Sequence, residues 1–339
     1  MNLSHPGIAA RLLLGLATTA ALFYAAAVGA RALVRWDPSR ASESQLALER
    51  HGHLASTLVG VALVGQIAAL WLGLLLAERL TPAIRGAMCA YGVLGSADGG
   101  FAALGVSGTL AVAAAAWLSM DRVDARSEGL SILRTKLAWT IPLAILAATD
   151  LVLTARFLHG LDFSSVSSCC SVSMDAGEAT TVAGLAGGAR IGSALLAGGL
   201  GLGAAIASLL AVRGIRRLPA FLGGLLSLAA AVPALIAISG WVAPHVYETP
   251  AHLCPFCLLR AEHAGFGWFL GFLLFVSVSS GVSTAVAAAL RGREGASEAA
   301  GVVLRRAGRV AAFSWALFLA LAASPFLLYS FRTGASLFG

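Results

Sequence analysis

Residues 252–266 read HLCPFCLLRAEHAGF, with Cys254 and Cys257 separated by Pro255-Phe256 and flanked by His252 and His263. Two thiols at this spacing can close to a disulfide and reopen, with thiolate as the attacking species. A long apolar run follows, so the motif is expected to open a helix. There, unused backbone N–H groups and the positive end of the helix dipole favour the thiolate of Cys254. Pro255 suits a first helical turn because it fixes φ and needs no helical N–H. The same atoms suggest a second chemistry: His252, Cys254, Cys257 and His263 offer two imidazoles and two sulfurs, ligand types that suit zinc or Cu(I). Cys257 and His263 stand six residues apart, nearly two turns of one helix, so a single ion needs a break between them. Glu262 and His263 are near enough in sequence to Cys257 to handle its protons, or they are plain outer-interface residues. A permanently oxidised staple, or two inert packed thiols, is the structural alternative for the pair.

Two further segments carry sulfur. FSSVSSCCSVSMDAGEA, 163–179, is Ser-rich, has no long apolar run and reads as a loop. A disulfide between the adjacent Cys169 and Cys170 is strained and more easily reduced; alternatively, one of them exchanges with Cys254 or Cys257 while the other meets a partner. Cys89 stands in CAYGVLGSADGGF, 89–101, which aligns with CPFCLLRAEHAGF, 254–266. Just upstream, Thr81-Pro82-Ala83 matches Thr249-Pro250-Ala251. The match continues in order through Arg11 and Arg190, Arg35 and Arg213, Ile132-Leu133-Arg134 and Val303-Leu304-Arg305, and AATDLVL and AASPFLL. Self-similarity of this kind predicts a tandem duplication, with one four-helix unit in 1–160 and a second, preceded by the cysteine loop, in 161–339. An even number of helices per unit makes the repeats parallel. Cys257 corresponds to Gly92, so only the second copy keeps a dithiol.

The elements that must position these sulfurs are membrane helices. Of 339 residues, 58% are hydrophobic and 12% charged, whereas an ordinary soluble protein carries about 25% charged residues. Apolar stretches of bilayer-crossing length fall near 11–34, 53–78, 101–120, 137–158, 191–212, 218–243, 266–290 and 310–330. They lack the alternation of barrel strands, so the expected class is an all-α integral membrane protein with eight transmembrane helices. Segments 31–52, 121–136, 213–217 and 291–309 hold four, four, three and five Arg or Lys, 16 of the 23 in the chain. By the positive-inside rule these lie in the cytoplasm. Both termini and all five cysteines then face outward from the plasma (inner) membrane, where disulfides persist. The net charge of +7 is sorted by loop rather than gathered on one surface, which argues against a nucleic-acid partner. The rival reading of residues 1–30 as a cleaved signal peptide is disfavoured by the lack of a basic residue before Arg11.

Asp150 lies inside the fourth span, where an ionisable group is costly and often functional. It is either a proton site or a structural carboxylate reaching outward to Arg156. Gln66 reads as interhelical glue, and the Gly184/Gly188 and Gly199/Gly203 spacings read as close helix packing. Trp241, Tyr247 and Trp268 flank the CPFC mouth as an aromatic belt or as one wall of a pocket.

Spans four to seven, with a cysteine loop after the first of them and CPFC opening the last, resemble the four-helix core of vitamin K epoxide reductase homologues. They resemble the DsbB-type oxidases more loosely. The resemblance covers residues 137–290: SVSSCCSVSM is similar to the loop-cysteine segment of bacterial members, and HLCPFCLL to their membrane-embedded CxxC. It implies that Cys257 faces a quinone and that Cys254 exchanges with Cys169 or Cys170. Electrons then pass from an external thioredoxin-like protein through the loop pair and CPFC to the quinone. The leading expectation is therefore a membrane thiol–disulfide oxidoreductase. The others are a membrane protein that binds or transports copper or zinc, and a non-catalytic membrane subunit of a redox or assembly complex with its cysteines as staples.

Overall fold

The computed structural model describes residues 5–36, 42–127, 132–161, 163, 187–214, 216–250 and 252–335. Among them the chain is all-helical, without strands, and eight helices are long and apolar enough to cross a bilayer. The long helices are α1 (Pro6–Arg35), α2 (Glu43–Leu80), α4 (Gly100–Asp124), α5 (Leu133–Gly160), α6 (Gly187–Gly214), α7 (Arg217–Ala237), α9 (Phe266–Leu290) and α10 (Ser297–Thr333). Short pieces interrupt them. Thr81–Ala83 is a 3-10 turn, α3 (Ala90–Gly95) is a six-residue helix, and α7 runs through a π turn (Ile238–Val242) into α8 (Ala243–Tyr247). Two further 3-10 turns, Pro255–Leu259 and Ala261–His263, precede α9.

Hydropathy located all eight long helices but set some ends too short. α2 and α10 have 38 and 37 residues, so Arg50 lies on α2 and Arg305, Arg306 and Arg309 lie on α10 rather than in loops. These flanks are rich in Ala, Leu, Glu and Arg, which favour helix whether or not they are apolar. Lys136 also departs from the expected loop charge: it is buried on α5, with Nζ 2.8 Å from Asp121 and 2.6 Å from Asp124.

Cα packing divides the chain into two units. The first comprises 1–76, 97–161 and 286–303, and the second 77–96, 162–285 and 304–339. Residues 77–96, which carry Cys89, thus pack with residues from the second half of the sequence.

In the first unit α1 lies along α5, and α4 packs on α5. Gly29 permits the close α1–α5 approach, because a Cβ there would stand 2.5 Å from the Leu137 carbonyl oxygen. Trp117 fills the interior and donates from Nε1 to the Lys136 carbonyl at 3.1 Å. Asp150 is buried here, with both carboxylate oxygens near Arg11 Nη2 (3.1 and 2.9 Å). Gln66 Nε2 donates to Asp150 at 2.9 Å, and the Ser107 hydroxyl donates to it as well. Arg11 replaces the expected partner Arg156, and Asp150 stays buried instead of reaching outward. The helix crossing brings α1 to α5, a contact that sequence proximity cannot reveal. Gln66 does join two helices, as expected.

In the second unit α6 packs on α7, and α7 packs on α9 through Gly224, where a Cβ would come 2.6 Å from that of Ala285. Ser227 on α7 accepts a hydrogen bond from Trp315 Nε1 at 3.0 Å. On α6, Gly201 makes the close approach, to Trp315, and Gly203 meets Leu226, whereas Gly199 has nothing within 4 Å of its Cβ position. The expected Gly199/Gly203 pair therefore does not act as one packing face.

Candidate functional site

Two short turns of the second unit carry the described sulfurs. Cys89 is the N-cap of α3 in extended backbone (φ −155°, ψ 179°), and Cys254 is the N-cap of the Pro255–Leu259 turn (φ −74°, ψ 112°). CPFC was expected to open the long membrane helix. Instead it opens this five-residue turn, and α9 begins only at Phe266. After Leu259 the chain extends at Arg260, makes a second turn and reverses through left-handed Ala264 (φ 53°) and Gly265 (φ 63°). The long-helix dipole therefore does not act on Cys254. The break also ends the one-helix geometry assumed between Cys257 and His263.

The sulfurs of Cys89, Cys254 and Cys257 all lie within 4.8 Å of one another. Cys89 Sγ and Cys254 Sγ are 3.6 Å apart, a thiol–thiol contact well beyond the covalent length of about 2.05 Å. Cys89 and Cys254 are fully buried and Cys257 is 8% exposed. Tyr91, Tyr247 and Phe256 pack around the three. Residues at equivalent places in the two aligned motifs meet twice, Cys89 with Cys254 and Tyr91 with Phe256, whose ring centroids are 6.1 Å apart.

Neighbouring groups fix both turns. Glu78, near the end of α2, accepts the Ala90 N–H at 3.1 Å, satisfying one of the open donors of α3. Arg260 donates to the Met88 carbonyl, which ties the second turn to the residue before Cys89. Tyr247 donates its hydroxyl to the Cys254 carbonyl at 2.7 Å, and Trp268 Nε1 donates to the Leu259 carbonyl at 2.9 Å. At the start of α9, a Cβ on Gly267 would come 2.9 Å from the backbone of Leu258, so the helix is pressed against the CPFC turn.

No family model, curated protein or solved structure matches the chain.

Of the expected site residues, the structure brings Cys254 and Cys257 together and adds Cys89, which the sequence placed in the single-cysteine copy of the motif. Cys169 and Cys170 lie outside the described residues. The expected set of His252, Cys254, Cys257 and His263 does not assemble: among the described residues the sulfur group contains no histidine. His252 and His263 instead pack on Tyr247, each with ring centroids 4.7 Å away. Partial burial holds the His263 pKa below the usual histidine value, and His252 and Arg260 add to this while Glu262 opposes it. Glu262 is itself paired with Arg260 at 2.8 Å on an exposed surface. Asp150 belongs to the first unit and takes no part in the sulfur site. Sequence reasoning missed Glu78 and Arg260 as supports of the turns. Their roles depend on backbone groups, which leave no residue pattern, although the motif alignment already set Cys89 beside Cys254.

Proposed function

We propose that this protein is a multi-pass membrane thiol–disulfide oxidoreductase whose centre is the three-sulfur group. One observation carries the reading: Cys254 has both Cys257 and Cys89 within sulfur-exchange reach. The Cys254–Cys257 disulfide takes two electrons and two protons from an external dithiol, which leaves as a disulfide. The resulting dithiol is reoxidised by a quinone, which accepts the electrons and protons as quinol. The external dithiol protein and the quinone come from the resemblance to vitamin K epoxide reductase homologues, as does the role of Cys169 and Cys170 in the transfer. Cys257, with more exposure than its two neighbours, is the sulfur that faces the acceptor.

Eight apolar helices support insertion in the membrane. The sorting of basic residues supports an inner membrane with both termini and the cysteines on the outer face. Parallel tandem repeats are supported by the matched order of motifs and by the meeting of their equivalent residues. Parallel repeats are related by an axis along the membrane normal, which allows like turns to face each other.

A disulfide map of the untreated protein in membranes tests the reading. The expected result is a reductant-sensitive bond joining Cys254 to Cys257, to Cys89 or to a loop cysteine. If all five thiols remain open to alkylation after exposure to oxidant, the oxidoreductase reading is lost.

A further inference from the structure

Beyond exchange chemistry, we propose that the reduced forms of Cys89, Cys254 and Cys257 make a three-coordinate site for Cu(I). A CxxC disulfide needs two sulfurs. Here a third, 165 residues before Cys254, is held at 3.6 Å from it, and all three fall within 4.8 Å. A metal–sulfur bond of about 2.3 Å in trigonal geometry requires sulfurs about 4 Å apart, which falls inside the observed spread. The sulfurs need only small side-chain rotations to meet one ion.

The donor set selects the metal. Three thiolates are soft ligands, the class that takes Cu(I), zinc or iron–sulfur clusters. Structural zinc is almost always four-coordinate, and His252 and His263 are held on Tyr247 instead of in the sulfur group. Cu(I) is stable with three sulfurs. Burying several thiolate charges together is costly, whereas a bound cation deprotonates coordinating thiols and offsets their charge. The burial of the group and its aromatic surround exclude water, which protects Cu(I) from oxidation.

Both turns supply ligands at defined positions. Cys89 and Cys254 are N-cap residues of their turns, and Arg260, anchored on the Met88 carbonyl, keeps the turns together. Formation of a Cys254–Cys257 disulfide removes two of the three donors, so metal-loaded and oxidised states exclude each other. The site itself requires only the three thiols, not turnover with a quinone.

The test titrates Cu(I) into anaerobically reduced, full-length protein in detergent against a chromophoric Cu(I) chelator, with X-ray absorption on the loaded sample. The expected result is one Cu(I) per chain with three sulfur neighbours at about 2.3 Å. Changes to groups behind a metal ligand cost 10–100-fold in affinity, so removing a ligand through Cys89→Ser should weaken binding by at least about 100-fold. The double variant Cys169→Ser/Cys170→Ser should leave it unchanged. Diamide oxidation should release the metal. Binding that survives Cys89→Ser, depends on the loop pair, or shows mainly nitrogen or oxygen neighbours overturns the assignment, as does tighter binding of Zn(II). The wild-type absorption spectrum decides the point even if Cys89→Ser fails to fold. Cu(I) binding without any reversible disulfide removes the oxidoreductase reading and keeps this one; disulfides without Cu(I) binding do the reverse.

Discussion

The two units bury chemically demanding side chains in different ways. In the first, one carboxylate accepts from three long helices, through Arg11 on α1, Gln66 on α2 and Ser107 on α4, while Thr154, on α5 with Asp150 itself, accepts from Arg11. In the second, three sulfurs come from two short turns outside the long helices, packed among aromatic rings. A charge fixed by rigid elements is suited to holding helices in register. Sulfurs on these fixed turns reach bonding or metal distance by rotation of their own side chains. On the proposed reading, the Arg11–Asp150 group serves architecture and the cysteines serve chemistry.

The largest effect that could break this contrast is at the ion pair. Asp150→Asn strands a buried guanidinium, and breaking a buried pair costs about 3–5 kcal/mol. Thermal melting in detergent should show a marked loss, while the disulfide pattern of the chains that still fold stays that of wild type. If Asp150→Asn changes cysteine oxidation or Cu(I) affinity in folded protein, the separation of roles fails. Replacing both partners with leucine should recover much of the stability, since apolar substitution of a buried pair is often neutral or better.

A smaller loss is expected from Gly29→Ala, which drives a Cβ toward the Leu137 carbonyl; overpacking of this kind costs about 1–3 kcal/mol, again without altering the sulfurs. Glu78→Ala tests the other side. It leaves the Ala90 N–H without its acceptor at a cost of about 1–3 kcal/mol, and because Ala90 follows Cys89 it should also slow alkylation-protected pairing of Cys89 with Cys254. Cys89→Ser places a hydroxyl in a buried apolar group, at a cost of about 1–3 kcal/mol, and abolishes that pairing, whereas Asp150→Asn costs more stability and leaves the pairing intact. Differential alkylation and melting curves on the same samples separate these cases.

The smallest effect concerns pH. Because the folded-state pKa of His263 is lowered, chiefly by desolvation, the unfolded chain binds its proton more readily. Stability should therefore be constant well above the ordinary histidine value of about 6.5 and decline as pH falls through the window just below it. His263→Gln should flatten that part of the melting-temperature profile. A profile that is unchanged by the substitution would place the pH response elsewhere.

The eight long helices were legible because sustained apolar runs leave a strong trace in composition. Their ends were less so, since polar flanks such as those holding Arg50 and Arg305 are also good helix formers. CPFC was placed on the right short stretch but assigned to the wrong element. The polar stretch Arg260–His263 separates CPFC from the apolar run of α9, and the chain leaves helical geometry at extended Arg260 and again at left-handed Ala264 and Gly265, through backbone angles that hydropathy does not register. Long-range partners were hidden for a different reason. Arg156 was the nearest arginine in sequence, while Arg11, 139 residues away, is the nearest in space. Cys89 was the exception, because internal similarity supplied a relation that distance along the chain concealed.

On the duplication reading, the meeting of Cys89 with Cys254 and Tyr91 with Phe256 describes a broken symmetry. The aligned turns meet at these two pairs and differ at Cys257, whose counterpart in the alignment is Gly92. An ancestor carrying cysteine at both places would have presented four sulfurs, a set suited to tetrahedral zinc. Loss of one converts that set to three. On that reading Gly92→Cys restores the fourth sulfur, and at the proposed Cu(I) site a shift of metal preference toward Zn(II) would be its signature.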